Sequence, residues 1–191
     1  VGQYFYIDQT EPDSEITSPS NGDHFQSLDL IEGTSWDTSP GKINKVQLYI
    51  KKGTNNYWNG SQWVSPTTEW LNASASDGDG FNETSEDWKY TIDPTTECWK
   101  DEGTHTIVCK AEDKVPNTEI MPYYSIDIVI DKSPPDSTIT TPSQYLVNSL
   151  PEILGTGNDP APTEGEWQGI QLQILNKDTT WYWQGGIWDT P

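Results

Sequence analysis

The sequence predicts an all-β chain of tandem β-sandwich repeats, the second of them incomplete, and three observations carry that prediction. The first is an internal repeat: Ile7 to Ser20 reads IDQTEPDSEITSPS, and Ile130 to Ser143 reads IDKSPPDSTITTPS. The residues after each copy also match, with Gly33-Thr34 answering Gly155-Thr156, Val46 to Ile50 answering Ile170 to Ile174, and Tyr57 to Trp63 answering Tyr182 to Trp188. Self-similarity at a near-constant spacing is the signature of a repeat architecture, and the small drift in spacing places insertions in loops. The second observation is composition: ten Trp, nine Tyr, 15 Gly and 14 Pro in 191 residues suit short strands and turns. The third is periodicity, since apolar residues recur at every second position and no window holds them at helical spacing.

Taken in order, residues 1–9 read as the last strand of a preceding repeat, because Tyr4 to Asp8 occupies the register of Asp127 to Asp131. Residues 10–132 form a complete repeat, and residues 133–191 the N-terminal half of another. Each junction carries proline (Pro12; Pro134 and Pro135), which restricts the backbone and removes amide donors, so the joints are stiff. Within the complete repeat Val46, Leu48 and Ile50 alternate with polar neighbours, the mark of a strand with one buried and one wet face. Asn59-Gly60 signals a two-residue hairpin loop with Trp58 and Trp63 diagonal on one face. Alternation returns at Trp88-Tyr90-Ile92, at His105-Ile107-Cys109-Ala111 and at Tyr124-Ile126-Ile128-Ile130. The polar stretch from Ala73 to Glu86 has no period and reads as an exposed loop. Half a sandwich leaves an apolar face and a sheet edge open. The segment Gln3 to Asp8 is a suitable strand donor to that edge, which would join copies head to tail into filaments.

Gly33-Thr34, the Tyr57-Trp58-Asn59-Gly60-Ser61-Gln62-Trp63 hairpin, Gly103 to Asp113, Ile128 to Asp131 and the Pro-Pro-Asp-Ser linker together resemble the immunoglobulin-like repeats of large prokaryotic cell-surface proteins. The family's Ala-x-Asp-x-x-Gly-Asn turn appears as Ala111 to Asn117, with Pro116 in place of the Gly. The resemblance implies an immunoglobulin-like sandwich and an extracellular structural role in adhesins, S-layers or stalks.

A formal charge of −20, with ten Lys and no Arg, excludes nucleic acid as a partner, which needs a cationic face. Cations fit better. No apolar run is long enough to span a membrane, so this stretch does not insert in one. Calcium is the cofactor the acids suggest, since it takes several hard oxygen ligands on a turning backbone. The candidates are Asp77 and Asp79 in the polar stretch, and the junction acids Asp13, Asp131 and Asp136, where Asp8/Asp13 recur as Asp131/Asp136. The plainer reading of Asp77 and Asp79 is a solvated loop.

Cys98 and Cys109 form the candidate disulfide, with two reduced core thiols as the other reading. Asn59, Asn72 and Asn82 fit the N-glycosylation pattern, although Asn59 also suits its turn. Trp70 and Trp99 are the candidate surface aromatics, whereas the recurring Trp58 and Trp63 read as scaffold. No nucleophile, base and orienting group stand in a catalytic pattern. The sequence therefore points to a non-enzymatic, extracellular repeat that forms a rod, S-layer or filament unit and partners neighbouring repeats or its own copies. An adhesin or carbohydrate-binding module that contacts glycans, or an accessory domain of a secreted hydrolase, is the alternative.

Overall fold

In a computed structural model, residues 2–93, 95–144, 147–160 and 169–189 are described, Trp188 and Asp189 by their backbone alone. They divide into two units, Val1–Lys132 and Ser133–Pro191. The first unit contains β1 (Asp13–Ser18), β2 (His24–Phe25), β3 (Leu30–Trp36), β4 (Ile43–Lys52), β5 (Asn56–Trp58), β6 (Trp63–Val64), β7 (Leu71–Asn72), β8 (Ser74–Ala75), β9 (Ser85–Thr91), β10 (Gly103–Asp113) and β11 (Ser125–Ile130). One sheet runs β1-β3-β9-β8; the other runs β2-β11-β10-β4-β5-β6, with β7 also on β4. The β11–β2 pairing is parallel and the others antiparallel, so the opening stretch of the unit is shared between both sheets. This is the immunoglobulin-like arrangement of two packed sheets with crossed-over connections.

Alternation explains which residues close the sandwich. Val46, Leu48 and Ile50 of β4 face inward with His105, Ile107, Cys109 and Ala111 of β10 and Ile126, Ile128 and Ile130 of β11, all buried. Ile16, Ile31 and Trp88 meet them from the other sheet. Each large apolar side chain removed from water contributes about 1.5–3 kcal/mol, so these rows are what hold the sheets together. Trp88 fits because its cross-strand partner is Gly33. A Cβ at position 33 would run into the Trp88 ring and the Glu15 carbonyl, and the indole Nε1 donates to the Thr34 carbonyl at 3.2 Å.

Two expectations need correction. The Trp58–Trp63 hairpin has a four-residue loop, because Asn59 Oδ1 accepts from the Ser61 and Gln62 amides at 3.0 and 2.9 Å and the Asn59 amide donates to the Gln62 carbonyl. That length sets Trp58 directly opposite Trp63, with rings in edge contact at 5.6 Å. The stretch from Ala73 to Glu86 is also not all loop. Ala73 and Ala75 are buried, and the chain leaves β4's edge through β7 and joins β9 through β8. Residues 2–9, expected to be a strand, pair with no described strand.

The second unit contains β12 (Asp136–Thr141) paired with β13 (Leu154–Asn158), and β14 (Leu175–Asn176), β15 (Trp181–Trp183) and β16 (Trp188–Asp189) in one sheet. Its registers reproduce the first unit's. Ile139 pairs with Gly155 as Ile16 pairs with Gly33, and Trp183 pairs with Trp188 as Trp58 pairs with Trp63. Counterparts of β9 to β11 do not occur among the described residues of this unit, and burial differs accordingly: Leu172 is 52% exposed where Leu48 is 0%, and Trp183 is 41% exposed where Trp58 is 1%.

The Gly33–Trp88 fit makes a test of the core. Gly33→Ala should cost about 1–3 kcal/mol of stability, the range for overpacking a tight core, measured by urea unfolding of the chain. Gly2→Ala, which meets nothing within 4 Å, should leave the midpoint unchanged.

Candidate functional site

The acids singled out in the sequence do not converge. Asp77 and Asp79 are exposed, with Asp77 Oδ1 accepting from the Asp79 amide at 3.2 Å and Asp79 Oδ1 from Asn82 Nδ2 at 3.2 Å, a turn that satisfies itself. Asp13 and Asp136 are exposed at the starts of β1 and β12, and Asp131 follows β11 with its amide on the Phe25 carbonyl at 2.9 Å. A strand-start acid alternates outward when the next residue points in, which is why Asp13 faces solvent beside buried Ser14.

A different set meets at one end of the first sandwich. Asp8 comes from the incoming linker, Asp37 directly follows β3, and Asp113 is the last residue of β10. One carboxylate oxygen from each lies within 4.8 Å of the other two. Asp113 is fully buried and held by its turn: Oδ1 accepts from the Val115 and Asn117 amides, both at 2.8 Å, and Oδ2 from Asn117 Nδ2 at 2.7 Å. Thr10 bridges the other two, its hydroxyl 2.8 Å from Asp8 Oδ1 and 3.2 Å from Asp37 Oδ1. The Thr38 amide donates to Asp37 Oδ1 at 2.6 Å. The remaining oxygens, Asp8 Oδ2 and Asp37 Oδ2, are buried and have no hydrogen-bond partner.

Gly41 forms the wall of this pocket of oxygens. A Cβ there would strike the Asp37 carboxylate and come within 2.7 Å of Asp8 Oδ2. None of the three ion pairs among the described residues, Lys45–Glu112, Lys52–Asp101 and Lys100–Glu97, reaches the cluster. Burial pushes the Asp37 carboxyl above its ordinary range, and the charges of Asp8 and Asp113 push it further, against the lowering effect of the Thr38 and Thr10 hydrogen bonds. Chemically, the arrangement has hard oxygen donors and no cationic side chain, which suits a hard cation.

The remaining candidates fall elsewhere. Cys98 and Cys109 are free thiols, which corrects the disulfide expectation. Cys98 lies in the β9–β10 connection and Cys109 within β10, and both are buried. Burial pushes both thiols up to about 12. Trp99 is buried, its Nε1 donating to the Leu28 carbonyl at 2.6 Å and its ring edge-on to His105, so it is core and not surface. Trp70 is half-buried among Tyr49 and Tyr123, with Lys110 Nζ 4.0 Å above its ring. Asn72 is exposed with Oδ1 on Gln47, whereas Asn82 spends its Nδ2 on Asp79 and Gly80 and Asn59 serves its loop. His105 is a packing residue: buried between Trp63 and Trp99, it keeps a low pKa through burial, with Nδ1 on the Gly103 carbonyl at 2.9 Å.

No family model matches the chain, and no curated protein matches it. Among solved structures the chain is similar to one described as "Structures of Clostridium thermocellum CbhA fibronectin(III)-like modules", at 17% identity and a TM-score of 0.34, covering 76% of this chain and 62% of that one. This chain thus spans less than two thirds of that chain's length, and so loose a superposition carries no argument about function. The strand order and register themselves define the chain as an immunoglobulin-like β-sandwich protein.

One measurement checks the acidic site and another the thiols. Ionised Asp37 opposes folding, because a carboxyl whose folded pKa is raised lends stability at low pH that is lost as pH rises through that pKa. In metal-free buffer at neutral pH, Asp37→Asn should therefore raise the melting temperature, and the gain should vanish below the ordinary value of 3.8. Thiol titration should find no reactive cysteine in the native chain and both in denaturant; a disulfide would leave the denatured count at zero.

Proposed function

We propose that this chain is a segment of a tandem array of immunoglobulin-like modules in an extracellular prokaryotic surface protein, of the adhesin or S-layer type. It works without catalysis, as a rigid spacer or assembly unit. The observation that carries this reading is the repetition of register between the units: Ile16↔Gly33 against Ile139↔Gly155, and Trp58↔Trp63 against Trp183↔Trp188. A repeated fold joined by proline-bearing linkers sets spacing, whereas a dedicated reactive site has no need to recur. The buried ionisable groups fit a scaffold too, since His105 serves aromatic packing and Glu119 ties β1 to β10, accepting from Ser14 Oγ at 2.7 Å and the Ala111 amide at 2.9 Å. Burial raises the Glu119 carboxyl. No helix among the described residues is long and apolar enough to cross a membrane.

The exposed apolar face of the second unit, with Ile139, Leu154, Ile170 and Leu172, supports completion by further strands, either of the same array or donated by another copy's Gln3 to Asp8 segment. A second reading, contact with glycans, rests on Trp70 with Tyr49, Tyr123 and Lys110 at the surface of the larger sheet.

Sedimentation and negative-stain microscopy test the first reading. Strand donation predicts head-to-tail polymers that are lost when Tyr4 to Ile7 are replaced by Ser; polymers that survive the replacement would exclude that segment as donor. Glycan-array screening tests the second. Saturable binding abolished by Trp70→Ala would establish an adhesive face, and no binding would leave the spacer role.

A further inference from the structure

We propose that Asp8, Asp37 and Asp113 form a calcium site that staples the incoming linker to the end of the sandwich. Three independent features of the site point to a bound ion. The first is spacing: oxygens bound to one calcium at 2.3–2.6 Å cannot stand more than about 5 Å apart, and these three lie within 4.8 Å of one another. The second is the state of the oxygens. Asp8 is 9% exposed, and its Oδ2, like Asp37 Oδ2, is buried without a hydrogen-bond partner. A buried polar atom left unpartnered is costly, and a buried charge without a counter-charge more so. The third is the space, because the absence of a side chain at Gly41 is what leaves room for Asp37 and Asp8 to turn toward Asp113.

The donor set selects the ion. All three ligands are carboxylate oxygens, and the free thiols and both histidines lie elsewhere, so zinc and copper are disfavoured. Calcium fills its remaining positions with backbone carbonyls and water, and tolerates the irregular geometry of one linker residue, one loop residue and one strand end; magnesium requires a near-ideal octahedron.

The site's position gives it a task. Two ligands belong to the module and the third belongs to the chain that enters it, so binding converts an exposed junction into a cross-linked one. Asp8 has its counterpart in Asp131. Asp37, which follows the Gly33-Thr34 pair, has its counterpart in Asp159, which stands at the same distance after Gly155-Thr156. Asp159 Oδ1 is likewise buried and unpartnered. Asp8 and Asp37 thus recur in the sequence repeat, and binding in the first unit does not depend on the tandem-array reading.

Isothermal titration of the full chain with calcium, paired with terbium luminescence sensitised by neighbouring Trp36, tests the binding. One saturable site is expected, with a Kd on the order of 0.1–1 mM as in extracellular modules, weakened by about tenfold or more in Asp8→Asn and in Asp37→Asn. Asp8 lies in the linker outside the strands, so its variant keeps the fold and isolates the ligand role. The double variant Asp77→Asn/Asp79→Asn should bind as the parent does. Absence of saturable binding, or binding lost in the Asp77/Asp79 variant and kept in Asp8→Asn, would overturn the proposal. Hydrogen exchange separates the two claims: calcium should slow exchange at the amides of residues 9–11. Slowing there with no change in the chain's solution dimensions would retain the site and reject its role in stiffening an array.

Discussion

The closure of two sheets over one apolar interior is the constraint on which the first unit depends. β3 and β10 belong to opposite sheets, and each contributes its inward row to that interior: Ile31 and Gly33 on one, His105, Ile107, Cys109 and Ala111 on the other. Because the rows must face each other, the ends of the two strands are brought to the same end of the sandwich. Asp37 and Asp113 are neighbours for that reason, and not because of any affinity between two carboxylates. Gly33 tolerates no side chain, since Trp88 and the Glu15 carbonyl occupy the volume that one there would need.

The acidic cluster then follows from a local choice at each member. Asn117 and the turn amides fix Asp113 in one orientation. Thr38 and Thr10 fix one oxygen each of Asp37 and Asp8, which leaves the second oxygen of both directed into a buried pocket. Burial, and after it the charges of Asp8 and Asp113, raise the Asp37 carboxyl in the bare cluster. The carboxylates gathered there are the ones that a cation would hold together.

Much of the fold was legible in the sequence, and the candidate site was not. Alternation at Val46-Leu48-Ile50 and at His105-Ile107-Cys109-Ala111 reads directly as burial, because the strand period is local. The hairpin loop at Asn59 and the β7–β8 passage around Ala73 escaped, since an asparagine side-chain turn and a two-residue edge strand leave almost no periodic trace. Recurrence of Asp13 as Asp136 suggested a ligand, yet both face solvent, so recurrence alone does not separate linker solvation from coordination. Asp8 recurring as Asp131 and Asp37 as Asp159 carried the better signal. It could not be completed without the fold, because Asp113 has no counterpart within residues 133–191, and Pro116 in the turn obscured the motif around it.

The most direct measurement is a crystal structure of the chain grown with calcium and inspected for anomalous scattering from the ion. A calcium joint predicts a single strong site coordinated by Asp8, Asp37 and Asp113, with the linker from Asp8 to Pro12 ordered against the end of the sandwich. An ion held by Asp77 and Asp79, or three carboxylates splayed apart with no ion between them, would contradict it.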